Sequence, residues 1–226
     1  MAMVGFREWK SIKTRVDKAL LLRFADIPVP NIDDNMGRLY AVSSAIRPYN
    51  TARLLGQAFT VKAPQGDNLM FHRALDLAQP GDILVVDGMG GTDRALCGEV
   101  MIQYAIQRGL GGFLIDGCVR DSEAIARLDF PVYARGLNPN GPYKNGPGEI
   151  NVPVSIGGIA VLPGDIIVGD SDGVVVIRPE DAEAVAEKAE AHNRMEERMF
   201  KQIADGTFDH GWVDGAMAAN KVESRD

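Results

Sequence analysis

The sequence is poor in the residues that build disulfide frameworks and zinc sites. It contains two cysteines and three histidines among 226 residues. Cys97 and Cys118 do not form a CxxC pair, so we expect them to be reduced, buried thiols. His72, His192 and His210 do not have the spacing of zinc ligands. These absences argue against a disulfide scaffold and against a structural zinc site.

Basic clusters and long apolar runs are also missing. The chain has 24 Lys and Arg residues against 31 Asp and Glu residues, which gives a formal net charge of −7. Nucleic acid is therefore a disfavoured partner, because phosphate binding needs clustered cations. Apolar runs such as 83–86 and 166–168 are too short to span a membrane, and the first residues lack the apolar region of a secretory signal. We expect a cytoplasmic protein that binds neither membranes nor nucleic acid.

What is present is an alternation of strand and helix patterns. A segment that alternates like a strand lies at 57–63, and apolar segments typical of buried strands lie at 83–87 and 112–116. Helical patterns follow the first two of them, one ending at Leu77 and one covering 94–108. A strand-rich stretch then covers 150–177. This order predicts an α/β fold with some parallel strand pairing.

Two segments outside this core have helical patterns. Apolar residues recur near helical spacing over 6–25, and a charged helix is predicted over 179–205, where Pro179 and the acids after it mark its start. No linker or internal repeat interrupts the chain. We therefore predict a single domain over 1–226, with a core at about 34–178 and a helical arm at each end.

The first candidate site feature is a helix start that follows the second predicted strand. Gly98 is expected to interrupt the helical pattern that begins at Arg94, so that a helix effectively starts at Glu99. The first amides of a helix have no partner within it and attract carboxylates. The backbone from Gly98 through Val100 to Met101 is therefore a candidate anion site.

The second feature is an arginine and an acid just past the strand at 112–116. In α/β sheets, ligands collect where loops leave the carboxyl ends of strands. Arg120 and Asp121 occupy such a position and could converge with Glu99. Two carboxylates would suit Mg²⁺, which prefers oxygen ligands, and the arginine could pair with an anionic substrate.

A purely structural interpretation of the same residues is equally concrete. Asp121 precedes a short helical pattern and could be its N-cap, with Glu123 as an acid of the first turn. Arg120 could form an ion pair with Glu123 or with Glu99. Spacing alone favours this interpretation.

Other candidate motifs are weaker. The glycines of 88–91 lack the lysine and the spacing of a phosphate-binding loop, so turn glycines are favoured. The acids of 170–173 lack the remaining ligands of a calcium loop and indicate a hairpin turn. Lys62 could form a Schiff base only if it were buried beside another cation, and most strand lysines are solvated.

Several segments between Gly56 and Arg178 together carry a family resemblance. They are Gly56-Gln-Ala-Phe-Thr-Val, Gly66-Asp-Asn68 with His72-Arg-Ala-Leu, Gly81-Asp-Ile-Leu-Val-Val-Asp, Gly98-Glu99, Asp116-Gly-Cys-Val-Arg120-Asp121, Pro163-Gly-Asp165, and Gly169-Asp-Ser-Asp-Gly-Val-Val. With these segments the chain resembles the family that contains 4-hydroxy-4-methyl-2-oxoglutarate and 4-carboxy-4-hydroxy-2-oxoadipate aldolases and the regulators of ribonuclease E activity.

The resemblance implies roles for the candidate site residues and reverses the preference for a structural interpretation. The family pattern is an acid, twenty residues, and then Arg-Asp, which corresponds here to Glu99, residues 100–119, and Arg120-Asp121. The family's aldolases usually have Asp at the first position, so Glu99 is a departure. By resemblance Asp121 ligates a metal directly, Glu99 reaches it through water, and Arg120 holds the substrate and stabilises an enolate.

The resemblance further implies the cofactor, the assembly and the fold. The metal is Mg²⁺ or Mn²⁺, and the pyruvyl carboxylate binds the backbone amides near Gly98, Glu99, Val100 and Met101. The family forms homotrimers or homohexamers in which a C-terminal acid of a neighbouring subunit joins the metal's outer shell, and Glu197 is the candidate here. The implied fold is a β/β/α sandwich resembling the swivelling phosphohistidine domain.

The implied reaction is that of a class II pyruvate aldolase. A 4-hydroxy-2-keto acid is cleaved to pyruvate through an enolate, and decarboxylation of oxaloacetate yields the same enolate. The resemblance implies a metal-linked water as the base that takes the proton of the C4 hydroxyl. The C4 substituent of the substrate is expected to contact loops such as 136–148. The alternative from a different class is a protein-binding regulator of a ribonuclease without catalytic activity.

Overall fold

Among the described residues, nine strands form one mixed sheet that organises the fold, and two further strands form a separate hairpin. In the computed structural model, which describes residues 3–223 and 225, the strands are β1 (Phe6–Glu8), β2 (Arg47–Pro48), β3 (Leu54–Lys62), β4 (Ile83–Cys97), β5 (Gly112–Val119), β6 (Val132–Leu137), β7 (Gly148–Ile150), β8 (Val154–Ile156), β9 (Ile159–Val161), β10 (Ile166–Asp170) and β11 (Gly173–Ile177). The helices are α1 (Lys18–Leu22), α2 (Val29–Asp34), α3 (Leu69–Leu77), α4 (Glu99–Gln107), α5 (Ser122–Ile125), α6 (Ala182–Ala204) and α7 (Trp212–Ala219).

The middle of the sheet is parallel. The strand order along the sheet is β1-β7-β3-β4-β5-β6-β2. Within it, neighbours among β3, β4, β5 and β6 all pair in parallel. Strands β10 and β7 pair antiparallel with different parts of β3, and β11 pairs with β10. The predicted α/β fold with parallel pairing is confirmed, and so is the hairpin turn predicted at 170–173.

Helices cover one face of the parallel strands. Apolar side chains that point to this face from β3 to β6 form one buried cluster with α3 and α4. At its centre Phe113 packs edge-on against Phe71 and Phe130, with both pairs of ring centroids 5.0 Å apart. Edge-to-face pairs of this kind add to the free energy gained from burial. This packing holds α3 and α4 firmly against the strands whose ends form the candidate site.

The opposite face of the parallel strands packs against a second β layer. Side chains from β3 to β6, including Leu114 and Tyr133, share a buried cluster with the hairpin β8–β9 and with β10 and β11. The outer side of β10 and β11 is covered in turn by α2 and the first turns of α6. The arrangement agrees with the predicted β/β/α sandwich.

The prediction of a helical arm over 6–25 is wrong for most of that segment. Residues 6–8 form β1 and pair in parallel with β7, and only Lys18–Leu22 are helical. Tertiary contacts satisfy the intervening backbone: the Gln57 side chain accepts from the Val16 N–H at 3.1 Å and donates to the Thr14 carbonyl at 3.1 Å. Of the apolar residues in this pattern, Ile12 and Phe24 are buried, Val16 and Leu20 are half-buried and Ala19 is exposed. The apolar spacing therefore indicated burial at only some positions, and it did not indicate the backbone conformation.

Strand β4 is longer than predicted. The strand was expected to end at the glycines of 88–91, with a helix from Arg94, but β4 continues to Cys97 with register irregularities against β5. Gly88 is a close-packing position, because a Cβ there would lie 2.9 Å from the Asp116 carbonyl oxygen. The helix begins at Glu99, as the interruption at Gly98 predicts.

The helix predicted over 179–205 is confirmed as α6, within which the chain divides into two compact units, Met1–Ala189 and Glu190–Asp226. The second unit contains the end of α6 and all of α7, and none of its described residues is buried. Phe200, Ile203 and Trp212 expose 64%, 55% and 68% of their surface. Within the described residues, no helix is both long and apolar enough to cross a membrane.

Candidate functional site

The ends of two neighbouring parallel strands bring the predicted site residues together. Strand β4 ends at Cys97 and β5 at Val119, and these two residues are partners in the register. The chain then continues into Gly98 and α4 on one strand and into Arg120 and Asp121 on the other. The Arg120 N–H donates to the Cys97 carbonyl at 3.0 Å and ties the two segments together.

Asp121 caps the neighbouring helix. Its Oδ2 accepts a hydrogen bond from the Glu99 N–H at 2.9 Å, at the first turn of α4. The side chain makes no cap bond to α5, so the prediction that Asp121 caps its own helix is wrong for the side chain. A carboxylate at a helix N-terminus satisfies an otherwise unpaired donor and is stabilised by the helix dipole.

Arg120 lies beside this carboxylate. Its Nε is 3.8 Å from Asp121 Oδ2, and the two side chains are 46% and 43% exposed. Among the residues that the structure describes, Asp121 is the ion-pair partner of Arg120. The ion pairs with Glu123 or Glu99 that the sequence had suggested are not formed by these residues. The guanidinium therefore keeps most of its donors available for a bound anion.

Gly98 makes this close approach possible. A Cβ at this position would overlap Asp121 Oδ2 and would lie 2.9 Å from Cγ and 3.1 Å from Nε of Arg120. Asp121 itself has a φ of 64°, a left-handed conformation that Asp and Asn adopt more readily than most residues. Both local features fix Asp121 against the start of α4.

A cavity of about 210 Å³ opens beside this pair of residues. Its walls come from the ends of β4 and β5, from the starts of α3 and α4, and from the connection between β6 and β7. The lining residues are Asn68, His72, Cys97, Gly98, Val100, Met101, Arg120, Asp121, Pro142 and Lys144. Gly98, Val100, Met101, Arg120 and Asp121 among them were predicted from the sequence.

The cavity has a cationic side that sequence reasoning missed. Lys144 is exposed, and no ion pair involves it among the residues that the structure describes. His72 is half-buried, and burial, followed by the positive charge of Lys144, lowers its pKa, while Asp76 opposes the shift. Burial also raises the pKa of the Cys97 thiol, which therefore stays protonated. The Arg120 guanidinium and the Lys144 ammonium, which both line the cavity, are suited to bind an anion.

The connection between β6 and β7 is tied to the rest of the site at several points. The Arg94 guanidinium donates to the Gly141 carbonyl at 2.8 Å and to the Tyr143 hydroxyl at 2.9 Å, and it lies 4.1 Å from the centre of the Tyr143 ring. Asp67 accepts from the Asn145 N–H at 2.7 Å. These contacts hold Lys144 at the mouth of the cavity.

A second cavity of about 360 Å³ lies against the same two residues. Arg120 and Asp121 belong to both linings, and the others here are Ser122, Leu137, Asn138 and Pro139. The stretch 136–148, expected to contact the substrate, thus contributes to both cavities. Arg120 and Asp121 thus line both cavities. The first cavity is also lined by the cationic Lys144, whereas the other residues that line the second cavity are uncharged.

The two other predicted acids have different surroundings. Glu99 contributes its backbone N–H to the site, but its exposed side chain is not among the residues that line either cavity. Glu197 lies in the second unit, where its Oε1 accepts from Asn193 at 3.2 Å. Throughout the described residues, no group of three or more His, Cys, Asp or Glu side chains is arranged to hold a metal ion.

Comparison with known proteins finds a family model and a relative whose descriptions agree with each other. A family model described as RraA-like, Aldolase/RraA, matches residues 29–176. A protein of Halalkalibacterium halodurans, provisionally named 4-hydroxy-4-methyl-2-oxoglutarate aldolase, is 39% identical over 189 residues, which cover 83% of this chain and 90% of that protein.

Two solved structures extend the comparison. An uncharacterized protein from Pseudomonas syringae pv. tomato aligns with a TM-score of 0.77 at 26% identity, covering 85% of this chain and 96% of that one. The RNA-processing inhibitor RraA from Thermus thermophilis aligns with a TM-score of 0.62 at 27% identity, covering 67% and 93%.

Proposed function

The chain belongs to the RraA-like family, and from this premise we propose that it is a divalent-metal-dependent lyase that cleaves 4-hydroxy-2-keto acids to pyruvate, with an associated oxaloacetate decarboxylase activity. The observation that carries the proposal is the convergence of Arg120, Asp121 and the first turn of α4 on one cavity. An aldolase name among the relatives supports lyase chemistry at the level of the family.

The donor set at the site fits a weakly held hard cation. Asp121 offers a partly exposed carboxylate, of which one oxygen bonds the Glu99 N–H. Mg²⁺ commonly takes only one or two protein carboxylates and completes its shell with water and substrate oxygens. Asp121 would hold Mg²⁺ or Mn²⁺ directly, with Glu99 reaching it through water if its exposed side chain turns inward. When bound, the metal would polarise the keto group and stabilise negative charge on its oxygen.

The chain's own residues then bind and orient a 2-keto acid. The Lys144 ammonium and the Val100 amide are available for the substrate carboxylate, and the latter lies in the first turn of α4 where no intrahelical partner exists. The Glu99 amide is already bonded to Asp121, so it is a weaker candidate for this role than the sequence implies. Arg120 would stabilise the enolate oxygen. The second cavity would take the C4 substituent.

Metal removal tests the proposed function most directly. We expect the protein to release pyruvate from oxaloacetate in Mg²⁺ or Mn²⁺, and to lose at least about 90% of this activity after dialysis against EDTA, because hard cations bound by few carboxylates exchange readily. Pyruvate is measured by a coupled dehydrogenase assay, with added Mg²⁺ restoring the rate. Full activity in the dialysed protein after verified metal depletion would contradict the proposal.

We further propose that the chain forms a homotrimer or a dimer of trimers. None of the described residues of the second unit is buried, and Phe200, Ile203 and Trp212 are exposed, which is unfavourable unless another chain covers them. In such an assembly Glu197 of a neighbouring subunit would join the outer shell of the metal.

Light scattering tests the assembly. At assay concentration we expect a mass three or six times that of the 24.4 kDa chain. Trp212→Glu, which puts a charge on the exposed apolar surface, should shift the mass toward the monomer, because burying an unpaired charge is costly. A monomeric mass for the wild-type protein would contradict the assembly and remove Glu197 from the site.

A second candidate function comes from a different class. The structural match to an RNA-processing inhibitor favours a protein-binding regulator of a ribonuclease. The two functions separate in one pair of assays. A regulator should slow RNA cleavage by purified ribonuclease E without needing Arg120 or Asp121, whereas a lyase should release pyruvate and need both.

A further inference from the structure

One wall of the first cavity has no role in the proposed function. Asn68 and His72 lie four residues apart at the start of α3, a spacing that puts both side chains on one face of the helix. The Asn68 side-chain N–H₂ donates to the Leu96 carbonyl at 2.8 Å and to Met101 Sδ at 3.4 Å. These bonds fix the orientation of the amide, because a flipped amide would bring its oxygen against the Leu96 carbonyl.

This orientation leaves a buried acceptor without a donor. Asn68 is 2% exposed, and its Oδ1 has no hydrogen-bond partner among the residues that the structure describes. Unpaired buried polar atoms are rare, since each costs free energy, and they often mark places where a ligand or water binds. Because Oδ1 is itself buried, it is not open to a substrate in the cavity, and His72 is the other polar group of this wall.

His72 is the titratable group on the same wall. No hydrogen bond holds its imidazole in the described part of the chain, and it is half-buried. The charged groups that face it are Lys144, Arg120 and Asp121 across the cavity and Asp76 on its own helix. Because its pKa is lowered, the imidazole is neutral near neutral pH and has a lone pair available to accept a proton.

The other groups that line the cavity are poorly suited to proton transfer. Arginine and lysine side chains carry their protons at neutral pH and have no acceptor lone pair. The buried Cys97 thiol keeps its proton, and Asp121 is engaged by the Glu99 N–H and, in the proposed function, by the metal. Among the residues lining the cavity, an imidazole is the group whose proton exchanges readily near neutral pH.

We propose that His72 is the catalytic residue that carries the proton between the C4 hydroxyl and the pyruvyl C3, an inference that rests on the proposed lyase function. The neutral imidazole takes the hydroxyl proton, the C4–O bond becomes a carbonyl, and the C3–C4 bond breaks with its electron pair left on C3. The resulting imidazolium then gives the same proton to C3 of the enolate. One proton moves and none is gained or lost, which a single group can achieve.

Two partial reactions separate this role from the rest of the site. Exchange of the pyruvate methyl protons with D₂O needs a group that removes and returns a proton at C3. Decarboxylation of oxaloacetate forms the enolate by loss of CO₂, and the released enol can convert to pyruvate in solution. Loss of the proton carrier should therefore affect exchange far more than decarboxylation, whereas a damaged site should lose both.

The test compares wild type with His72→Gln in both reactions, using NMR for exchange and a coupled assay for pyruvate. We expect exchange to fall about 100-fold, with a much smaller fall in decarboxylation. The wild-type exchange rate should rise with pH as His72 loses its proton and then level off, and this rise should be absent in the variant. His72→Gln with wild-type exchange, or with equal losses in both reactions, overturns the proposal.

Asp76→Asn provides a matched variant on the same helix. The asparagine can still accept from the Tyr104 hydroxyl, which bonds Asp76 at 2.8 Å, but the negative charge that raises the pKa of His72 is lost. The rise of the exchange rate should therefore move to lower pH without a large change in its plateau, and an unmoved rise overturns the role of His72. If the wild-type protein releases no metal-dependent pyruvate from oxaloacetate, the proposed lyase function fails instead, and the role of His72 fails with it.

Discussion

Replacing Asp121 with asparagine should lower kcat for pyruvate release by about 1,000-fold or more, because the proposed metal would be lost and, with it, several kcal/mol of charge stabilisation. The affinity for Mn²⁺ should fall in parallel. Folding stability should change little. Asparagine keeps an oxygen that can accept from the Glu99 N–H and tolerates the left-handed backbone at φ 64°.

Asp121→Ala separates the two roles of this side chain. It should lose turnover to the same extent, and it should also lower the free energy of unfolding by about 1–2 kcal/mol, because the helix cap is removed. Calorimetric titration with Mn²⁺, steady-state kinetics and thermal melts measure the three effects. Asp129→Asn, an exposed acid outside both cavities, is the matched control. Wild-type turnover in Asp121→Asn would end the assignment of a metal ligand.

Replacing Arg120 with lysine should lower kcat by about 100- to 1,000-fold, the range seen when a donor to a developing oxyanion is lost. Lysine keeps the charge but not the planar group that can contact a carboxylate and an enolate oxygen together. Metal affinity should persist, because Arg120 is not a ligand and its Nε is 3.8 Å from Asp121.

Kinetic parameters distinguish this role from simple substrate binding. If Arg120 only bound the substrate, its loss would raise KM and leave kcat unchanged. Arg127→Lys, in the exposed segment after α5, provides a control in which a similar change should be silent. An Arg120→Lys protein that retains wild-type kcat, or that no longer binds Mn²⁺, would contradict the proposed role.

Local rules predicted the part of the site that depends on strand ends. Gly98 and Arg120 each follow a buried parallel strand, and the carboxyl ends of adjacent parallel strands meet at one edge of the sheet. Their proximity therefore follows from two short sequence patterns. The family resemblance read from the motifs is confirmed by the family match, and its site roles remain predictions.

Long-range contacts account for what the sequence did not reveal. His72 and Lys144 reach the same cavity from segments more than seventy residues apart, and the path of the second depends on contacts such as Arg94 with Tyr143. A single histidine or lysine in a sequence gives no pattern that predicts which cavity its side chain will line. The N-terminal arm shows the same limit, because the partners of its backbone lie far along the chain.

The anchoring of the β6–β7 connection has a practical consequence for enzyme engineering. Arg94 and Asp67 fix the backbone on either side of Pro142, while Leu137 and Pro139 line the second cavity without serving as anchors. A library randomised at Leu137 and Pro139, with Arg94 and Asp67 retained, would sample new cavity shapes on a framework that stays folded. In the proposed lyase, selectivity among keto acids could therefore be evolved separately from the catalytic step.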